Sequence, residues 1–169
     1  RSDALLERTV GRKAAKPVWS EMKENAALAM GPARAGDLLL KALTDLMGLW
    51  GDQLEVHLVG HSAGSIWLGH LISRLQRIVG PSGQRALDWV PGIHLMAPAC
   101  TVAFANEHYA ATEVLPRTHI ALISDARELD DSTAGVYRKS LLYFVSNALE
   151  PDLRTPILGM HKVFDPAQN

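Results

Sequence analysis

The strongest constraint on this chain is a strand-like run, a five-residue turn and a helical run that meet with no spare residue between them. In Leu54-Glu55-Val56-His57-Leu58-Val59 apolar residues alternate and then run together, the pattern of a parallel strand buried on both faces. Gly60-His61-Ser62-Ala63-Gly64 follows at once. Beyond it Ile66, Trp67, Leu68, Leu71, Ile72, Leu75, Ile78 and Val79 recur at helical spacing until Gly80-Pro81 supplies a stop. In that setting G-x-S-x-G reads as a nucleophile elbow. The serine takes a turn so sharp that its backbone is strained and its oxygen stands clear of the sheet edge, while the flanking glycines let strand and helix pass close together.

The rest of the chain supplies the partners such a unit needs. Residues 1 to about 30 are helix-prone, broken by Gly11 and Pro17, and carry no strong strand. Gly31-Pro32 marks a turn, Asp37 stands as an N-cap, and Leu39, Ala42, Leu43, Leu46, Leu49 and Trp50 form a stripe expected to cover the nucleophile strand before Gly51 ends the helix. After the Gly80–Gly83 loop, apolar strands are expected at 93–97, closed by Pro98, and at 119–123, followed by a helix over 132–150 and a last apolar strand at 156–160. Strands alternating with helices argue an α/β architecture with a mainly parallel sheet and right-handed crossovers. A length of 169 residues favours one domain, with residues 1–36 as an N-terminal helical extension or remnant.

Composition narrows the partners. A net charge of -1 gives no electrostatic case for nucleic acid or an acidic lipid surface. No apolar run reaches the length of a membrane span, and no signal peptide is visible. Cys100 is the only cysteine, which excludes an intrachain disulfide, leans to a reducing cytoplasm, and reads as buried and inert. His57 and His61 flank a strand end and do not share a helical face, so neither a metal nor another cofactor is expected. Ser65 reads as a helix residue, and Trp50 and Trp67 read as core before they read as pocket walls.

The order strand, GHSAG, helix, strand, helix, strand, acidic loop, helix, strand, histidine resembles the C-terminal part of the α/β-hydrolase superfamily over roughly residues 37 to 164. The resemblance implies a three-layer α/β/α fold that lacks most strands before the nucleophile strand. It also implies a triad in the order Ser, Asp or Glu, His. Ser62 is then the nucleophile, and His161, the one histidine after every late acid, the base. Asp125, Glu128, Asp130 and Asp131 all follow the third strand; Asp131 is chosen as the acid, with Asp130 as the alternative. The Ala63 backbone N–H supplies one oxyanion donor, and no H-G-G-G-type segment before Leu54 supplies the second.

The function this implies is cleavage of carboxylic esters or thioesters through an acyl-enzyme on Ser62, with a small-molecule ester or acyl compound as substrate. A homodimer is the one assembly kept open. The competing reading is a non-catalytic α/β-hydrolase-like module, or a fragment of a larger protein, used for interaction. The missing second donor supports that alternative.

Overall fold

The structure is a computed structural model that describes residues 2–80 and 83–165. The N-terminal region is helical throughout. α1 (Ser2–Leu6) continues as a π-helical segment, Glu7–Ala15, into α2 (Lys16–Leu28), so Gly11 and Pro17 do not break it. Pro17 is the second residue of α2, directly after the π-helical segment. Gly11 is a close approach: a Cβ there would lie 2.6 Å from Ala148 Cβ. Trp19 donates its indole N–H to Glu150 at 2.7 Å, and Lys23 pairs with the same buried carboxylate at 2.8 Å, so this region is docked on the rest of the chain.

α3 (Ala35–Trp50) follows the turn at Gly31-Pro32. Arg34 is its N-cap, and Asp37 lies in the first turn, where it accepts from the Ala33 N–H at 3.1 Å. The expected stripe is corrected. Leu40 and Met47 are buried, whereas Leu46, Leu49 and Trp50 are exposed. The sequence Leu38-Leu39-Leu40 offers apolar residues on two faces, and the packed face is the one seven residues apart.

β1 (His57–His61), β2 (Gly92–Met96) and β3 (Thr118–Ala121) form a wholly parallel three-stranded sheet in that order. The architecture is therefore α/β. α4 (Gly64–Leu75), and not α3, packs on β1. Burial on both faces of β1 is also corrected: Leu58 and Gly60 are buried, while His57, Val59 and His61 are exposed. In register with them, His94 and Met96 of β2 and His119 and Ala121 of β3 are exposed too. The core gathers on the other face, around Leu58, Ile93, Leu95, Leu71, Ile72 and Leu75.

Two late elements differ from expectation. Residues 132–140 are not helical: Thr133 bridges Tyr137 around Ala134 and Gly135, both at positive φ, and the short helix Leu141–Phe144 begins only after Ser140 caps it. Residues 156–160 do not join the sheet. Ile157 bridges Thr101 in antiparallel fashion, so the segment lies against the chain that leaves β2. No helix among the described residues is long and apolar enough to cross a membrane.

Candidate functional site

The elbow is present in the backbone. Ser62 has φ +50° at the junction of β1 and α4, a left-handed conformation that costs a non-glycine residue about 1–2 kcal/mol. Its own peptide groups hold it there. The Ser62 N–H donates to Met96 O at 3.0 Å, and the Ser62 carbonyl accepts from the Ser65 N–H at 3.1 Å and the Ala99 N–H at 3.0 Å. Gly60 supplies the close approach, since a Cβ there would lie 2.7 Å from Leu68 Cδ1. Gly64 has no such need: its Cβ would meet nothing within 4 Å. Ala63 caps α4, at the end where the helix dipole favours negative charge.

Ser65, read from sequence only as a helix residue, ties the elbow to the next strand. Its hydroxyl donates to Ser62 O at 2.7 Å and accepts from the Cys100 N–H at 3.2 Å, and Tyr109 OH donates to Ser65 O at 2.6 Å. Ser65 stands three residues after Ser62, and that spacing was the available signal. The Cys100 thiol is buried, and desolvation pushes it up to about 11, against a smaller opposing effect of the Ser65 hydrogen bond.

The chain after β2 links the elbow to the segment that carries His161. Ala97 has φ +44° and donates its N–H to Ala121 O at 2.9 Å. Gly159 N–H donates to Pro98 O at 2.7 Å, Leu158 N–H to Cys100 O at 2.9 Å, and Val102 N–H to Pro156 O at 3.0 Å. Ser62 and the 156–160 segment are thus both bonded to residues 98–102, at the carboxyl end of the sheet where open α/β folds bind ligands.

His161 opens the 3-10 turn His161–Phe164 and is exposed. Its backbone N–H reaches Glu128 Oε1 at 3.5 Å. Glu128, in the short helix Asp125–Leu129, is fully buried and also accepts from Ser140 Oγ at 3.1 Å. Burial raises its pKa above the usual carboxylate range. Asp125 accepts from Tyr143 OH at 2.7 Å. Asp130 closes the helix Asp125–Leu129, and Asp131 accepts from the Ser132 N–H at 2.7 Å; both are exposed. Among the described residues no hydrogen bond joins Ser62 Oγ to His161, or the His161 ring to Asp130 or Asp131.

A serine and a histidine do touch elsewhere: Ser73 Oγ lies 2.7 Å from His108 Nδ1. Burial lowers the pKa of that histidine, which leaves it neutral near pH 7. Ser73, however, sits inside α4, where backbone N–H groups are spent on the helix and none is available to an oxyanion. The elbow is therefore the stronger candidate site. No family model matches the chain, and no curated protein or solved structure is significantly similar to it.

Proposed function

We propose that the chain is a serine hydrolase built on part of an α/β-hydrolase fold, cleaving carboxylic esters or thioesters through an acyl-enzyme on Ser62. One observation carries this reading: a serine, not a glycine, holds φ +50° between a parallel strand and a helix N-terminus. A strained backbone at a serine is unfavourable for folding and useful for exposing a nucleophile. In this mechanism His161 takes the Ser62 hydroxyl proton as Oγ bonds to the acyl carbon. The same proton passes to the departing alkoxide or thiolate as its bond to the acyl carbon breaks, and water then releases the acid by the reverse proton path. Asp131, with Asp130 as the alternative, orients the histidine, and Ala63 N–H stabilises the oxyanion. Glu128 acts further back, fixing the backbone of His161. The sheet face that carries Val59 and Met96, exposed among the described residues, is where the third layer of such a fold would pack.

A fluorophosphonate probe should label Ser62, and Ser62→Ala should abolish labelling and turnover together. Turnover that persists in that variant sinks the assignment. The second reading, a non-catalytic module, is favoured by the exposure of His161 and Asp131 and by the lack of a hydrogen bond between them. It predicts a folded protein that no fluorophosphonate labels.

A further inference from the structure

Five cationic side chains converge on one cavity of about 470 Å³: Arg8, Arg12, Lys139, Arg154 and Lys162, gathered around Tyr143. They come from well-separated parts of the sequence, so folding assembles the cluster. Among the described residues none of the five lies within ion-pairing distance of a carboxylate, although the chain as a whole carries slightly more acids than bases. The one carboxylate in the cavity wall, Glu7, is engaged elsewhere. Its Oε1 accepts from Tyr137 OH at 2.7 Å and from Asn147 Nδ2 at 2.9 Å.

The Tyr143 ring is flanked by ammonium groups, with Lys162 Nζ at 4.4 Å from its centroid and Lys139 Nζ at 5.7 Å. Asp125 and Glu128 attract Lys162 through space, while Lys139 and Arg154 repel it. Bringing like charges together in a partly desolvated cavity is unfavourable, and a bound anion would relieve it. Two walls are π-helical, Glu7–Ala15 and Val145–Leu149, a backbone form that is rare and concentrates at functional sites.

We infer that this cavity binds a soluble phosphate ester carrying at least two negative charges. Three guanidinium groups favour phosphate, whose oxygens match their planar fork, and two ammonium groups supply further charge without a directional demand. The volume falls in the range of small-molecule sites and exceeds what a bare phosphate fills. None of its lining residues belongs to the elbow, but Lys162 follows His161 directly, so the variants below leave Lys162 unaltered.

Inorganic pyrophosphate serves as the probe, titrated calorimetrically into the full chain at low salt. The expected result is saturable binding at millimolar concentration or below, weakened about tenfold in a Lys139→Ala/Arg154→Ala double variant. An Arg117→Ala/Arg127→Ala variant, which removes two cations outside the cavity, should bind as the unaltered chain does. Three results would overturn the inference: no saturable binding at millimolar pyrophosphate, equal weakening in both double variants, or association with phosphatidic acid vesicles that free pyrophosphate does not compete away. Circular dichroism melting of each variant separates lost binding from lost fold, and single Lys139→Gln and Arg154→Gln variants replace any double variant that does not fold.

Discussion

Replacing Ser62 by glycine should make the protein more stable than replacing it by alanine, although alanine is ordinarily the less disruptive choice. Both changes delete the same hydroxyl, and the hydrogen bonds that anchor residue 62 run through its N–H and carbonyl, which both variants keep. The variants differ only in backbone freedom. At φ +50° alanine retains a left-handed cost of about 1–2 kcal/mol, which glycine avoids. Glycine in turn loses about 0.5–1 kcal/mol more conformational entropy on folding. The difference leaves Ser62→Gly ahead by about 0.5–1 kcal/mol. For a chain of this length that corresponds to a melting temperature higher by about 1–4 °C. Differential scanning calorimetry of the two variants, with urea unfolding as a second measure, reads this directly. If Ser62→Ala melts at or above Ser62→Gly, residue 62 is not held in a strained turn, and the structural argument for an elbow fails.

Further outcomes follow from the same contacts. Gly159→Ala should cost about 2–3 kcal/mol, because its Cβ would fall 2.5 Å from Pro98 O and 2.8 Å from Ala97 C, both backbone atoms. Gly64→Ala, facing open space in the first turn of α4, should instead gain about 0.5–1 kcal/mol; similar urea midpoints for the two would refute this. The buried Cys100 thiol, at about 11 when folded, stays protonated where an unfolded thiol ionises. Its contribution is complete below the unfolded value of about 8.5 and is lost as pH rises through the folded one. Cys100→Ala should therefore flatten the alkaline fall of stability between those limits, and an unchanged slope would count against it. Glu128 follows the same sign at lower pH. Its stabilising contribution is present below the unfolded carboxyl pKa of about 4.3 and is lost as pH rises through its raised folded value. Glu128→Gln should gain on the unaltered protein as pH rises from the unfolded carboxyl value through the raised folded one, and parallel stability curves would refute the raised direction.

The parts of this fold legible in the sequence were those set by local contacts. The strand, elbow and helix around Ser62 were visible because Gly60, the apolar run before it and the periodic residues after it act on near neighbours. What covers what was not visible. In α3 two apolar faces compete, and only tertiary packing selects Leu40 and Met47 over Leu46 and Leu49. A signal against burial on both faces did exist: His57, His61, His94 and His119 occupy alternate strand positions, all on the open face. Within the site, the position of the last apolar segment depends on Pro98 and Cys100 carbonyls about sixty residues away, which no local pattern encodes. The acidic loop was legible as a loop. Its one buried carboxyl, Glu128, was not distinguishable from its neighbours, because burial there depends on Ser140 and on the backbone of His161.

Two of the non-glycine residues held at positive φ stand where neighbouring strands end. Ser62 follows β1 and Ala97 follows β2, both are non-glycine residues at positive φ, and each N–H is bonded to the last residue of the next strand, at Met96 and Ala121. A left-handed residue persists only where its surroundings over-determine it. Residues 98–102 provide that restraint for Ser62, through Ala99 directly and through Cys100 by way of the Ser65 hydroxyl. The same stretch fixes the segment leading to His161, with Gly159 as the point of closest approach. The positions of Ser62 and His161 are therefore coupled through one piece of backbone. A disturbance at 98–102 reaches both, whereas a disturbance at Asp131, whose carboxylate among the described residues bonds only to the adjacent Ser132 N–H, has no such route.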